Sequence, residues 1–428
     1  MMSWLYDLGF LIFGIAALPS FVARLGQAED GRRLLGERLG FLPKAFEANG
    51  QGKRTIWIHS VSVGEVLAVE KLVQLLVGRQ PELRVVWTTV TPTGQRLAKK
   101  SESDRIQVSY FPFDFRFSVR RFFKTLKPAL LLLVETEIWP NVIKEAGRSR
   151  VPVGVINGRI SERSFKAFRR FSVVFKPLLG KIGFFLVQTE QDRERLIELG
   201  VGPEKVTVTG NLKLDALDFS DAGQGEGAAL RQAWGFLPSD QILIGGSTHA
   251  GEEEILLGAL ERLREEKLPV KLLLAPRHIE RALKVLELAK KRGFQAILAS
   301  GRGEVTDFNV LVLDRLGELR KLYAMADAVV MGGSFVRRGG QNPIEPACLR
   351  RPVLHGPWVF NFHEIYRRLD EEGGSLRVKN EDELVFALKR ILASDRERQH
   401  LGERAYETLN KLRGATERTL HWIERSTT

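Results

Sequence analysis

The feature that most restricts the fold of this chain is an alternation of short apolar runs with amphipathic stretches, begun twice. Strands are expected at 55–60, 84–90, 129–134, 152–156, 184–188 and 205–209, with helical patterns between most of them. A loose segment at 218–227, rich in glycine and small polar residues, reads as a linker. The pattern then restarts at 241–245 and continues at 270–275, 294–298, 309–313, 328–331 and 352–355. Apolar strands covered by helices on both faces form parallel sheets, so each series predicts a doubly wound α/β domain. The expected architecture is two Rossmann-like domains facing each other across a cleft, residues 31–217 and 228–428, the second ending in charged helices. Neither series opens with G-x-G-x-x-G after its first strand, which argues against a dehydrogenase.

Residues 4–25 are strongly apolar, and Asp7 is the only charge before Arg24. The core of this stretch is long enough to enter a bilayer but short of the roughly twenty residues a spanning helix needs. Arg24, Arg32, Arg33 and Arg38 follow, a flank that stays cytoplasmic. Residues 1–30 are therefore read as a membrane anchor, with a buried first helix as the competing reading. The whole chain carries a formal charge of +13, from 65 Lys and Arg against 52 Asp and Glu. That excess suits nucleic acid, anionic lipid or a phosphorylated small molecule, and does not choose among them. The single cysteine, Cys348, excludes an internal disulfide and any cysteine-rich metal site, and reads plainly as a buried small apolar residue.

Ligands of open parallel sheets bind beyond the carboxyl ends of the strands, so the residues just after each apolar run carry the information. The stretch 331–347, MGGSFVRRGGQNPIEPA, sets Gly332, Gly333, Gly339 and Gly340 around Arg337 and Arg338. Paired glycines let backbone approach a ligand, and a helix opening after them aims N–H groups at an anion, so this reads as a phosphate site. Asn342 can cap that helix, Pro343 suits its first position and Glu345 can close a capping box. Capping accounts for Asn342 and Pro343 but leaves the glycines and arginines unexplained. In the first half, VSVGEVLAVEKLV follows the first strand. There Gly64 lets the turn come close, and Glu65 opens a helix as either a general base or compensation for the helix dipole.

In LLLVETEIWPN the period of an extended chain puts Glu135 and Glu137 on one face. Two such acids repel unless they bind a cation, hold sugar hydroxyls or share a proton. With no D-x-D and no spaced histidine pair, no metal site is expected. GGSTHAGEEE repeats the design of strand, glycine turn and helix start, with Ser247 or Thr248 to cap the helix or bond a phosphate oxygen. LLLAPRH offers Arg277, whose fork matches phosphate oxygens, while His278 reads as a local hydrogen-bonding residue. Asn211 and Lys213, in TGNLKLD, follow the last strand of the first half.

Taken together, SVSVGE, TTVTPTGQ, FPFD, ETEIWPN, NGRIS, VTGNLK, GSTHAGEEE, APRH and GGSFVRRGGQNPIEPA occur in the order found in the bacterial 3-deoxy-D-manno-octulosonic acid (Kdo) transferases of lipopolysaccharide synthesis. The chain resembles that family from about residue 57 to 363, and in its N-terminal anchor. The resemblance implies a GT-B fold and an inverting glycosyltransferase on the cytoplasmic face of the inner membrane. It implies CMP-Kdo as donor, a lipid A precursor (lipid IVA) as acceptor of one or more Kdo residues, no cofactor and no required metal. Its implied partners are these substrates and inner-membrane lipids, and not nucleic acid. By the same resemblance Glu65 is the catalytic base, Arg277 with Gly332, Gly333 and Ser334 holds the nucleotide phosphate, and Glu345 holds the ribose with Asn342 beside it. Lys213, Ser247 and Thr248 would line the donor pocket, while Ser62, Gly64, Glu135 and Glu137 would contact the acceptor or sugar. Phe111, Phe113, Phe115, Phe117, Phe122 and Phe123, interleaved with Arg116, Arg120 and Arg121, are expected either to dock on the membrane or to pack as ordinary helix core. Two alternatives stay open: another GT-B enzyme using a UDP-sugar, whether transferase or epimerase, and a non-catalytic basic protein that binds membrane or nucleic acid.

Overall fold

The computed structural model describes residues 31–48, 52–215, 226–301 and 307–427. They fall into two compact units, the first comprising the chain up to residue 216 together with residues from 413 onward, the second residues 217–412. The expected anchor at 1–30 lies outside the described residues, and among the described residues no helix is long and apolar enough to cross a membrane.

In the first unit the strands are β1 Arg54–His59, β2 Leu83–Thr89, β3 Ile106–Tyr110, β4 Leu130–Val134, β5 Val153–Gly158, β6 Phe184–Val187 and β7 Val206–Val208. They form one seven-stranded parallel sheet in the order β3-β2-β1-β4-β5-β6-β7. All five residues of β4, LLLLV, are buried, and alternate ones serve opposite faces. Leu131 and Leu133 pack with Trp57, Val86 and Phe122 on one face; Leu132 and Val134 pack with Ile56, Ile58 and Val69 on the other. This double burial is why the strands read as continuous apolar runs rather than as alternating ones.

The second unit repeats the plan with β8 Gln241–Thr248, β9 Val270–Pro276, β10 Ala296–Leu298, β11 Val310–Val312, β12 Ala328–Met331, β13 Val353–His355 and β14 Ser375–Arg377. Its parallel sheet runs β10-β11-β9-β8-β12-β13-β14. In each sheet the winding reverses near the middle, between β1 and β4 and between β8 and β12. Loops diverge there beyond the strand ends and leave room for a ligand.

Two strands escaped the sequence reading: β3, whose residues IQVSY mix polar and apolar side chains, and the three-residue β14. The linker expected over 218–227 lies almost wholly outside the described residues, a helix opening at Glu226. One boundary is corrected. The final helix, Ala415–Thr427, was expected in the second domain, but Ala415, Leu420 and Ile423 complete the apolar face of the first sheet. Asp215 fastens it there, its buried carboxylate accepting the N–H groups of Gly414 at 2.8 Å and Thr416 at 2.6 Å. Asp215→Ala orphans both donors and is expected to cost the first unit about 2 kcal/mol. A denaturant midpoint within error of wild type would show that water replaces the carboxylate.

The phenylalanine patch divides between its two readings, with Phe113 and Phe115 half-buried. Phe111, Phe122 and Phe123 are core residues around Trp57, while Phe117 is 49 % exposed.

Candidate active site

At the β1/β4 reversal the first unit gathers three glutamates and a lysine from separate segments. Ser62 caps the helix Val63–Arg79, and its hydroxyl accepts the N–H of Glu65 at 3.4 Å. Glu65 is 6 % exposed, and each of its oxygens takes one bond: Oε1 from the Ser62 hydroxyl at 2.8 Å, Oε2 from the Val61 N–H at 2.8 Å. Dipole compensation and proton acceptance are therefore not rivals here, because the bonds at the helix start fix the carboxylate without neutralising it. Burial pushes the Glu65 carboxyl above its ordinary range, and the charge of Glu135 adds to the rise. Such a carboxylate is a stronger base than one in water. A Cβ on Gly64 would meet nothing nearer than the Ser62 hydroxyl at 4.0 Å, so the glycine leaves open space rather than serving close packing.

The strand expected to carry Glu135 and Glu137 on one face ends at Val134. Glu135 follows it in the left-handed region, at φ 59°. A turn, not an extended period, brings the two acids toward Glu65. Glu135 is paired with Lys213 at 2.8 Å. Lys213 is thus in the first unit, on the helix Leu212–Asp215, where it offsets part of the negative charge. The turn before it is held by Asn157, a buried residue at φ 53° one position before the end of β5, which accepts the N–H of Leu212 at 3.0 Å. Asn157 lies in the NGRIS motif, yet composition gave no sign of this positioning role. Asn211 accepts the N–H of Lys213 at 3.0 Å.

Among the described residues Glu137 has no paired cation, and burial, with the charges of Glu65 and Glu135, pushes its carboxyl up to about 7. A raised carboxyl keeps its proton in the native state after the unfolded chain has lost its own. Stability is therefore fully present below about 4.5 and falls as pH rises to about 7. Glu137→Gln is expected to remove that fall, so that the thermal midpoint of the variant gains on wild type across this window and levels off above it. A difference that does not vary with pH would show that Glu137 titrates normally.

The β8/β12 reversal of the second unit departs from the expected phosphate cradle. Glu252, 1 % exposed at the start of the helix Glu252–Glu265, accepts the N–H groups of Gly333 at 2.7 Å and of Ser334, Phe335 and His249 at 2.9 Å. The backbone donors expected to hold a phosphate are thus occupied by a carboxylate of the chain itself. Gly332 is explained by packing, since a Cβ there would come within 2.2 Å of the Ser247 carbonyl. The Ser334 hydroxyl donates to the Met331 carbonyl and accepts the Gly356 N–H at 2.8 Å. Thr248 is likewise committed, donating to Glu253 at 2.9 Å, while the Arg281 fork holds the same carboxylate at 2.7 and 3.2 Å. Ser247 stands beside it at φ 56°.

Positive charge at this end of the sheet comes instead from exposed side chains. Arg277 and Arg338 are both exposed. Burial lowers the pKa of His249, and the charges of Arg338, His278, Arg281 and Arg277 lower it further. His249 Nε2 is 3.2 Å from the Gln341 amide nitrogen. The helix expected after Pro343 is only Ile344–Cys348. Asn342 accepts the Ile344 N–H at 3.1 Å and donates to Glu345 at 3.3 Å, a side-chain pairing rather than a capping box. Burial pushes the Glu345 carboxyl upward, and Arg320 and Asn342 pull it back. His249 and Glu252 lay inside the GSTHAGEEE motif without being singled out. Among the described residues no group of His, Cys, Asp and Glu could hold a metal ion.

Two doubly wound units, one with a buried carboxylate beyond its first strand and the other with arginines beyond β9 and β12, have the architecture of the GT-B class. Residues 33–216 match the family described as 3-deoxy-D-manno-octulosonic-acid transferase (kdotransferase). A 3-deoxy-D-manno-octulosonic acid transferase of Haemophilus influenzae is 37 % identical over 92 % of this chain and 91 % of its own length. One from Aquifex aeolicus is 30 % identical over 83 % of this chain and 91 % of its own. The chain belongs to the Kdo transferase family. Among solved structures, UDP-GlcNAc 2-epimerase from Neisseria meningitidis shares the fold at TM-score 0.60 and 12 % identity, covering 87 % of this chain and 100 % of that one.

Proposed function

We propose that the protein transfers one or more Kdo residues from CMP-Kdo to a hydroxyl of a lipid A precursor, lipid IVA, with inversion and without a metal. The observation that carries this reading is the Glu65 carboxylate, buried yet held by only one bond to each oxygen. The acceptor hydroxyl loses its proton to Glu65 as its oxygen bonds to the anomeric carbon of Kdo, and the carbon–oxygen bond to the phosphate breaks with its electron pair leaving on CMP. Positive charge passes through the sugar ring in an oxocarbenium-like state, which the neighbouring Glu135 carboxylate favours. The first unit takes the acceptor and the second the donor. Arg277 and Arg338 face the departing phosphate in place of the backbone donors that Glu252 occupies, Ser247 lies beside them, and Glu345 with Asn342 receives the ribose.

The enzyme works at the cytoplasmic face of the inner membrane. Exposed apolar side chains of the first unit lie under arginines: Phe41 under Arg121 at 4.3 Å, Phe171 under Arg170 at 5.8 Å. This is the pairing that an anionic leaflet and lipid acceptor attract.

The test is transfer of labelled Kdo from freshly generated CMP-Kdo to lipid IVA in detergent with chelator present. Product is expected, its size ladder giving the number of additions. CMP binding without transfer would discard this acceptor, and failure of both would favour a UDP-sugar donor.

A further inference from the structure

A groove of about 410 Å³ opens on the first unit between the edge strand β7 and the final helix, Ala415–Thr427. We propose that it binds a small amphiphilic anion, a phosphate or carboxylate carried on a flat apolar body. None of its lining side chains belongs to the Glu65 site, and the proposal does not depend on the transfer reaction.

One wall is a single face of the helix. Arg418, His421 and Arg425 recur there at spacings of three and four, with Trp422 among them. Residues so spaced project side by side, so two guanidinium groups and an imidazole flank one indole. The opposite wall is β7 and the residue after it, Thr209. Among the described residues no acidic side chain lines the groove, so an anion entering it meets no repulsion from those walls. Trp422 is fixed as a floor by Phe184, the ring centroids being 3.8 Å apart.

The second observation is Thr209. It is 3 % exposed, lines the groove, and its hydroxyl has no hydrogen-bond partner among the described residues. A buried hydroxyl without a partner is costly unless a ligand or water completes it. The backbone carbonyl of the same residue accepts the Arg418 Nε–H at 2.9 Å, and Arg418 Nη1 donates to the Arg413 carbonyl at 3.1 Å. Arg418 is thereby pre-oriented across the groove, while His421 and Arg425 stand exposed on its rim. The volume lies in the lower part of the range for small-molecule sites, roughly 300–1,000 Å³. Indole face and cations together select a ligand that is both flat and anionic.

The probe is anilinonaphthalene sulfonate, whose sulfonate stands in for the phosphate or carboxylate, titrated into the full-length protein and followed by fluorescence and hydrogen–deuterium exchange. One saturable site is expected, with slowed exchange in peptides covering 206–210 and 415–425. The double variant His421→Gln, Arg425→Gln, which breaks no side-chain hydrogen bond among the described residues, should bind roughly tenfold more weakly. Protection confined to other peptides, or unchanged affinity in the double variant, would overturn the assignment. Inorganic phosphate binding as tightly as the dye would overturn the apolar half of it.

Discussion

Glu65→Gln is expected to reduce Kdo transfer by about 1,000-fold or more while donor binding stays within twofold of wild type. The amide keeps the shape of the carboxylate, and its oxygen can still accept one of the two donors, the Val61 N–H or the Ser62 hydroxyl, so the cap of the helix Val63–Arg79 survives in weakened form. What it cannot do is take a proton from the acceptor. Removing a positioned base alone accounts for 10²–10⁴ in rate, and the remaining catalysis comes from binding and from charge complementarity. Turnover with lipid IVA and calorimetric binding of CMP separate the two effects. A variant with turnover near that of wild type removes Glu65 as the base, and loss of CMP binding together with turnover would mean that the substitution had disturbed more than one unit.

The fold was legible because the strands are covered on both faces. β4 and β9 announce themselves as LLLLV and VKLLLAP, and no partly exposed strand offers such a run. β3 failed on that criterion: Gln107 and Ser109 occupy buried positions in it, held by partners far away in the sequence, Arg84 and Glu37. The last helix was misplaced for a related reason. Its charged surface is what chain order would append to the second domain, whereas the Asp215 clasp and the apolar triad Ala415, Leu420 and Ile423 are properties of contact, not of order.

The candidate site divided in the same way. Glu65, Glu135, Glu137 and Lys213 could be singled out because they follow apolar runs, and the first unit does bring them together. The role of the 331–347 glycines was not recoverable. A turn that presents N–H groups looks the same in sequence whether it awaits an external phosphate or an internal carboxylate, and the glutamate that fills it is contributed 81 residues earlier. An acidic residue in the first turn of a helix is ordinarily a dipole partner; Glu252 reaches past its own helix to a second segment.

That reach makes Glu252 a costly position to substitute in the second unit. Glu252→Ala removes the acceptor from four backbone donors at once, three of them in the turn after β12 and one before its own helix. Hydrogen bonds to a charged group contribute about 1.5–3 kcal/mol each, and water entering the vacated space recovers part of the loss, so a net cost of about 3–5 kcal/mol is expected. For a unit of this size that lowers its thermal midpoint by roughly 10 °C. Glu252→Gln should cost about half as much, because its oxygen satisfies two donors while its NH₂ group confronts the others. Two calorimetric transitions are expected, one for each unit, and only that of the second should move. Hydrogen exchange then locates the effect: the amides of Gly333, Ser334 and Phe335 are protected in the wild type and exchange freely in Glu252→Ala. A midpoint lowered without faster exchange at those three residues would mean that the carboxylate stabilises the helix start alone and leaves the glycine turn to hold its own shape.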